Sequence, residues 1–531
     1  MGKRNAPLVA AAAVMVLCAL AVLLHLLGTV AIPGLALLEL ATVDLRYSLR
    51  GTRTVPGDVV VVTLDDALRQ RDRAAFMKHA AVAEVIRAIE ANHPRAVAVD
   101  LFFDSPDAVL PPGVLLEVKN AREEALAVAP DRQTPPLKHA TAALGDVLDA
   151  SRGDEELARA LRTAGNVDLA ALFFLNDERL APPPGTREPA GLHGAAYDES
   201  AFLDRALSRR PPRAEQLIYA SIAPLAEAAR GAGYVNVAPD RDGRVREVFG
   251  AIEYAGNYYL PLGFSLARHS PGAGAFAYAT NEPAIRFGER RLPVDERGRL
   301  LLDWPGPWGT FPWYSAADVL DGKIPPGSLE GKLVLVGLTD AARDRVQTPF
   351  GEQPGVSVHA VLAEGALHDG FLRATTPRWT LALVVLLAAI PTVLQIRAVR
   401  SRGAWIPAAA GLGGAVIWSA AAQILFSREQ VIAPVAAPSL AAIVTAVAAL
   451  GAALATEERE KRRLRSAFSR YVSDVVADRI LESPEAAGLE GVRREVTVLF
   501  SDIRGFSEFS ERLEPEVLRR LLVEYFTPMS D

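Results

Sequence analysis

Four long apolar runs constrain this 531-residue chain more than any other feature of its sequence. The first, Leu8–Val30, follows Lys3 and Arg4. As a helix it would rise about 35 Å, enough to cross a bilayer with some tilt. It is longer than the apolar region of a cleaved signal peptide, so it reads as a retained anchor. Three more runs cluster late, at about Trp379–Ile396, Ala404–Phe426 and Val431–Ala455. Arg397, Arg400 and Arg402 separate the first two of these, whereas Ser427–Gln430 between the other two is nearly neutral. Arg459, Lys461, Arg462, Arg463 and Arg465 follow the last. Cytoplasmic loops carry the excess of Lys and Arg, which leaves one consistent orientation. Residues 1–30 hold a cytoplasmic N-terminus and the first span, 31–377 lie outside, 378–455 hold three spans, and the C-terminus is cytoplasmic. The reading is a multi-pass protein of a cell inner membrane.

Composition supports that division. Hydrophobic residues make up 50% and charged ones 23%, as expected of a membrane protein with a large soluble part. The net charge of −6 comes without a large basic block, so no nucleic-acid partner is expected. Cys18 is the only cysteine, so an exterior domain must be stable without an internal disulfide. The eight histidines show no metal-ligand spacing; His25, within the first apolar run, reads as a packed or snorkelling residue rather than a proton relay. A transporter or channel is the other class this topology permits. Against it, the three late runs carry no mid-span acid or base, and their Ala-, Gly- and Pro-rich faces suit helix packing.

Between the first run and the other three, the periodicity predicts a mixed α/β domain. Asp58–Leu64 is a continuous β-branched run, the pattern of a strand covered on both faces. An amphipathic helix at Ala80–Asn92 and a second buried strand at Arg95–Phe103 complete a βαβ unit. Residues 105–152 read as an insertion of loops and short helices. Glu155–Thr163 reads as helix, Val167–Phe174 as strand, and Leu180–Arg213 as a polar, Pro-containing excursion. Beyond Gly233 come shorter strands with a turn at Asp242-Gly243, and a helix at Leu262–Arg268. Lys332–Gly337 is another buried strand, and His359–Leu367 a helix leading back to the membrane.

Several of these positions together resemble the second family of CHASE-type exterior sensor domains. The matching pieces are Glu39…Asp44-Leu-Arg46, Val61-Val-Thr-Leu-Asp-Asp66 and Ala96-Val-Ala-Val-Asp-Leu-Phe102. Gly233-Tyr-Val-Asn236, Asp240-Arg-Asp-Gly243, Lys332-Leu-Val-Leu-Val-Gly337 and Thr348-Pro349…Pro354-Gly-Val-Ser-Val-His-Ala360 complete the set. The resemblance covers nearly all of 35–372, and one span before with three after is also that family's layout. The departure is Arg71–His79, where the family's Trp/Pro/Arg-containing stretch is replaced by Ala74-Ala-Phe-Met-Lys78. The resemblance implies a sensor of an exterior ligand without naming it. Asp65, Asp66, Asp100 and Asp104 lie at or just past the ends of two strands read as neighbours, the edge where ligands of open α/β sheets bind. They form a candidate pocket for a cation or polar ligand, which Asp344, Thr348 and His359 could close. The plainer reading is that the four acids are helix caps and turn residues.

The cytoplasmic part, 456–491, opens on a charged helix, Glu457–Leu481. Leu464, Phe468, Tyr471 and Val475 recur at heptad-like spacing, which reads as a parallel dimer seam or as an amphipathic face on headgroups. Ser483-Pro484 ends the helix and Gly488–Gly491 forms a loop. In the last segment, 492–531, Val496, Val498 and Phe500 alternate with Thr497, Leu499 and Ser501 as in a short strand. Asp502 follows at its end, with Gly505 and a helix opening at Ser507 or Ser510.

Val496–Ser507 resembles, residue for residue, the first strand and turn of the class III adenylate/guanylate cyclase catalytic domain. The resemblance implies that Asp502 and the carbonyl of Ile503 bind one of two Mg²⁺ or Mn²⁺ ions. It also implies that the backbone N–H groups from Ile503 through Arg504, Gly505 and Phe506 to Ser507 hold nucleotide phosphates, consistent with the anion affinity of such turns. A homodimer and ATP as substrate are implied too, with GTP as the alternative. The second metal carboxylate, the base-selecting residues and the remaining catalytic groups fall beyond Asp531. Glu508, Glu511, Glu514, Glu516 and Glu524 read as solvated positions. About 40 residues cannot close a core of their own, so the chain is expected to be inactive alone. The expectation is a receptor adenylate cyclase cut early in its catalytic domain; the runner-up is a non-catalytic receptor whose cyclase-like end only dimerises.

Overall fold

The computed structural model describes residues 6–71, 78–107, 112–128, 133–150, 152–175, 192, 197–198, 211–273, 276–278, 284–295, 298–339, 344–401, 405–468, 495 and 497–530. The chain divides into two compact units, Met1–Thr456 and Glu457–Asp531.

The exterior part of the first unit is built on a seven-stranded sheet. Its inner members are β1 (Val59–Leu64), β2 (Ala96–Asp100) and β3 (Val167–Leu175), together with the strand Leu333–Leu338. Across the sheet the order is Trp313–Ser315, β1, Leu333–Leu338, β2, β3 and Ala214–Tyr219, with Gly231–Tyr234 also paired to β3. All pairs are parallel except that between β3 and Ala214–Tyr219. The strand Leu333–Leu338 therefore separates β1 from β2, which the sequence reading had set side by side. Local pattern identifies a buried strand but carries no information about which partner arrives from far along the chain.

Every residue of β1 is buried, and alternate residues serve opposite layers. Val59, Val61, Ala96, Ala98, Leu333 and Leu335 pack with the helices Leu262–Ala267 and Val356–His368. Val60, Val62, Val97, Val99, Val334 and Val336 pack with His79–Glu90, Gly153–Ala164 and Ala316–Leu320. Burying each of these Val and Leu side chains stabilises by about 1.5–3 kcal/mol, which favours apolar, often β-branched residues along the inner strands.

The insertion at 105–152 holds two 16-residue helices, Pro112–Ala127 and Pro135–Ala150, longer than expected. Both begin on Pro, whose fixed φ suits a first turn, and continue mostly in good helix formers. Within the Leu180–Arg213 excursion only Leu192, Tyr197–Asp198 and 211–213 are described; Tyr197–Asp198 pairs antiparallel with Tyr258 and Asn257. Residues 72–77 of the departure segment lie outside the described residues.

Among the described residues, four helices have the length and apolarity to cross a membrane: Ala6–Leu26, Pro377–Ser401, Ile406–Glu429 and Ala436–Phe468. The first ends earlier than its apolar run, at a turn through Gly28 where His25 Nδ1 lies 3.3 Å from Ile32 N. The fourth starts later than Val431, because Val431–Ile432 forms a strand and Pro434 precedes the helix. Val22, Val384, Ala388, Ala437 and Ala441 form an apolar cluster among the first, second and fourth spans. Gly411 of the third span lies so close to Ala442 and Ala446 of the fourth that a Cβ would collide. Between the first span and the sheet stands a strut helix, Leu35–Arg50, which the sequence reading did not foresee.

The unit 457–531 contains the end of the fourth helix, with exposed i,i+4 pairs Glu457–Lys461 and Glu458–Arg462. Tyr471 and Val475 of the expected seam, Ser483-Pro484 and Gly488–Gly491 lie outside the described residues. The helices Phe506–Ser510 and Pro515–Ser530 follow.

Candidate functional site at the carboxyl edge of the sheet

The parallel ladder aligns Thr63, Gly337 and Asp100 in one row near the carboxyl edge. With the strand Leu333–Leu338 intervening, β1 and β2 lie two strand spacings apart, about 10 Å. The four aspartates therefore do not gather into one pocket. Asp65 Oδ1 accepts from Ala67 N (3.1 Å), Leu68 N (3.2 Å) and Ser315 Oγ (2.9 Å). Its Oδ2 accepts from Thr63 Oγ1 at 2.9 Å. Asp65 is thus a helix cap whose acceptor capacity is filled. Asp66 is exposed in the first turn of Asp66–Arg71 and lies 3.6 Å from Arg69. Asp104 is exposed.

Asp100 differs from the other three. Its side chain is 10% exposed, and Oδ2 lies 3.9 Å from His359 Nε2. Burial, and secondarily the nearby Asp344 carboxylate, push its pKa up to about 8. Burial also raises the pKa of Asp344 and lowers that of His359 to about 4. Each shift has the same cause: a low-dielectric site disfavours the charged form. At neutral pH Asp100 is a protonated acid and His359 a neutral imidazole. Asp100 and His359 thus offer hydrogen bonds rather than charge, beside an Asp344 carboxyl whose proton is held more tightly than usual. Among the described residues, no group of three His, Cys, Asp or Glu side chains could hold a metal ion.

Two glycines bring these groups together. The Asp344 carboxylate lies where a Cβ of Gly355 would be, and the Asp344 carbonyl accepts from Gly355 N at 2.9 Å. A Cβ on Gly337 would meet Val356 Cβ at 2.7 Å. The helix Val356–His368 can therefore start against the sheet edge, which seats Ser357 and His359 in the interior. Ser357 Oγ and His359 Nδ1 are buried with no hydrogen-bond partner among the described residues. Thr348 is not part of this trio: its Oγ1 donates to Gly351 O at 2.7 Å and accepts from Phe350 N and Gln353 Nε2. It fastens the hairpin of Arg345–Thr348 and Gly351–Pro354.

Two further polar clusters were not singled out as sites in the sequence. Asp168 Oδ2, fully buried on β3, accepts from Ser265 Oγ at 2.7 Å and lies 3.1 Å from His269 Nε2. An acid inside the apolar string Val167-Asp-Leu-Ala170 was the available signal. Arg246 is bound by Asp44, Asp240 and Asp242 at 2.8, 2.7 and 2.6 Å. The Asp240-Arg-Asp-Gly243 motif is thus a turn that grips a buried guanidinium, with Gly243 at φ 83° closing it.

In the second unit, Thr497–Ser501 forms no ladder; Leu499 and Phe500 are 88% and 91% exposed. This differs from the expected buried strand. A strand is held by hydrogen bonds to a neighbour, and no described segment supplies one; Val496 itself lies outside the described residues. Asp502 is exposed, and its Oδ1 accepts from the N–H of Ile503 at 2.9 Å. The Ile503 carbonyl accepts from Phe506 N at 3.3 Å. Arg504 and Gly505 (φ 75°) form the turn, and the helix opens at Phe506, with Ser507 in its first turn. Glu508, Glu511, Glu514, Glu516 and Glu524 are all exposed.

A mostly parallel sheet covered on both faces, held outside the bilayer by one helix before and three after, defines a multi-pass membrane receptor with an exterior sensory domain. Residues 15–394 match the CHASE2 domain family, and the chain belongs to that family. No curated protein and no solved structure matches the chain.

Proposed function

We propose that this chain is the sensing and membrane-spanning part of a receptor adenylate cyclase. In the complete protein an exterior ligand would set the rate of conversion of ATP to 3′,5′-cyclic AMP and pyrophosphate. The observation that carries this reading is the run Val496–Ser507, joined to an exterior sensor through spans whose last helix continues past the membrane to Phe468. Asp502 supplies one exposed carboxylate and Ile503, next in the chain, a carbonyl, the two donor types that half of a divalent-ion centre needs. Those two groups would hold Mg²⁺ or Mn²⁺, and the ion would neutralise charge on the nucleotide phosphates. The N–H groups from Ile503 to Ser507 would orient the phosphates, and two copies of the chain would bring the halves of the site together. On the outside, Asp100, Asp344 and His359 would receive a polar group.

A second reading, a non-catalytic receptor whose cyclase-like end serves for dimerisation, draws support from the exposed, unladdered Leu499 and Phe500. Expression of the complete coding sequence in a host lacking cyclic nucleotides separates the two. Catalysis predicts cyclic AMP, or cyclic GMP if GTP is the substrate, with a loss of at least 100-fold in Asp502→Ala. Absence of both nucleotides, with the protein present in the membrane, removes the enzymatic reading.

A further inference from the structure

The outer end of the fourth span is gripped by the strut helix Leu35–Arg50, which precedes it by almost 400 residues. Glu39 Oε1 accepts from Val435 N and Oε2 from Ala436 N, both at 2.9 Å. One carboxylate thus satisfies two backbone donors left open at the start of the helix Ala436–Phe468. Arg46, whose side chain is 4% exposed, braces that carboxylate through Nη2 at 3.2 Å and donates through Nη1 to Ala433 O at 2.8 Å. Thr42 Oγ1 accepts from Arg46 Nη2 at 3.0 Å.

Other positions on the same helix are fixed to the exterior domain. Asp44 binds Arg246 and Arg244, Tyr47 Oη donates to Leu302 O at 2.6 Å, and Arg50 pairs with Asp303. The strand Val431–Ile432 adds a second tie, pairing in parallel with Arg373 and Ala374 of Phe371–Ala374. That pair extends a small sheet through Arg299–Leu302 to Glu247–Phe249, the strand next to the Asp240–Arg246 turn. The second and third spans are joined to each other at their cytoplasmic ends. Only the fourth carries the chain onward to the cytoplasmic segment.

We propose that the strut helix is the transmission element of this receptor, with Glu39 as the positioning residue through which a displacement of the exterior domain turns or shifts the fourth span. The inference rests on the receptor reading and does not require the cyclase reading. A rigid helix tied at one end to Arg246 and Asp303 and at the other to Val435 and Ala436 moves both ends together. The second span, which follows directly from the exterior domain, has no comparable carboxylate grip on the fourth.

The test uses the full chain in native membranes, in a Cys18→Ser background, with one reporter cysteine at a time. Leu454→Cys reports on the cytoplasmic half of the fourth span, and Val393→Cys on that of the second; both positions are exposed. The rate of modification by a membrane-permeant maleimide is compared with and without Glu39→Ala. A change of at least threefold at Leu454→Cys, with Val393→Cys unchanged and the exterior domain still protease-resistant, is the expected result. Glu39→Gln, which keeps one acceptor oxygen, should give an intermediate change, and it carries the test if Glu39→Ala fails to fold. Equal rates at Leu454→Cys in all variants overturn the proposal, as does an equal shift at both reporters. A shift confined to Leu454→Cys leaves this inference standing even where the complete coding sequence makes no cyclic nucleotide, the result that removes the cyclase.

Discussion

At the scale of single residues, Asp100 and His359 make opposite demands on pH. Asp100 holds its proton up to about pH 8 in the folded chain but ionises near its ordinary value, close to 4, when unfolded. Its contribution to stability is full below about pH 4 and is lost as pH rises to about 8. His359, lowered to about 4 from 6.5, contributes fully above about pH 6.5 and loses that contribution as pH falls to about 4. Each single titration changes stability by about 1.4 kcal/mol per pH unit, so between pH 4 and 6.5 the two slopes cancel. Above pH 6.5 only the Asp100 term remains. In Asp100→Asn the decline from pH 6.5 to 8 should therefore shrink by about 2 kcal/mol, and the rising limb from pH 4 to 6.5 should emerge. Thermal unfolding of the detergent-solubilised chain against pH, read as the difference from the unsubstituted protein, checks both limbs. Parallel curves for the two proteins would mean that Asp100 is ionised in the fold.

At the scale of elements, close approaches at glycine decide where helices sit. A Cβ on Gly263 would strike the His359 carbonyl and come within 2.7 Å of Leu362 Cβ, so Leu262–Ala267 can lie against Val356–His368 only with glycine there. Gly263→Val should destabilise the exterior domain by about 1–3 kcal/mol through overpacking, measured as a lowered midpoint of thermal unfolding. Gly243→Ala meets no neighbour, but its φ of 83° suits glycine, so a smaller loss of about 1 kcal/mol is expected. These elements also mark how far the sequence could be read. β1, β2, β3 and Leu333–Leu338 were legible because burial on both faces forces unbroken β-branched runs. Their order was not, since strand pairing between Val61 and Leu335 leaves no local trace. The strut helix was missed because its mixture of exposed Leu45 and Leu49 with buried Arg46 and Tyr47 inverts the usual pattern of a surface helix. Asp100 was legible as an acid at a strand end. The capping role of Asp65 was legible as the plainer reading, since Thr63, Ala67 and Leu68 are its chain neighbours, but its fourth donor was not, because Ser315 lies 250 positions away. Asp344 and His359 were named as groups that could close the pocket, but the close approach at Gly355 that admits the Asp344 carboxylate left no trace in the sequence.

At the scale of the whole molecule, membrane orientation and the exterior fold are linked through the strut. Arg46 is buried against the Ala433 carbonyl, and Asp44 is consumed by Arg246, so this region can form only when residues 31–377 and the 430–436 connection lie on the same side of the bilayer. The charge pattern enforces the same arrangement, since Arg397, Arg400, Arg402 and the Arg459–Arg465 cluster favour the cytoplasm. Single cysteines in a Cys18→Ser background should separate cleanly. Glu330→Cys, exposed in the loop before Leu333–Leu338, should react with an impermeant maleimide in intact cells. Glu458→Cys, exposed beyond the fourth span, should react only after permeabilisation. Replacing Arg459, Lys461, Arg462, Arg463 and Arg465 with Gln weakens the cytoplasmic bias of that end but leaves every exterior contact in place. If charge alone sets the topology, a fraction of Glu458→Cys should then label from outside. If assembly of the strut with the fourth span also holds it, that fraction should stay near zero until Glu39→Ala is added, and reaction of Glu458→Cys in the combined variant measures how much of the orientation the clamp supplies.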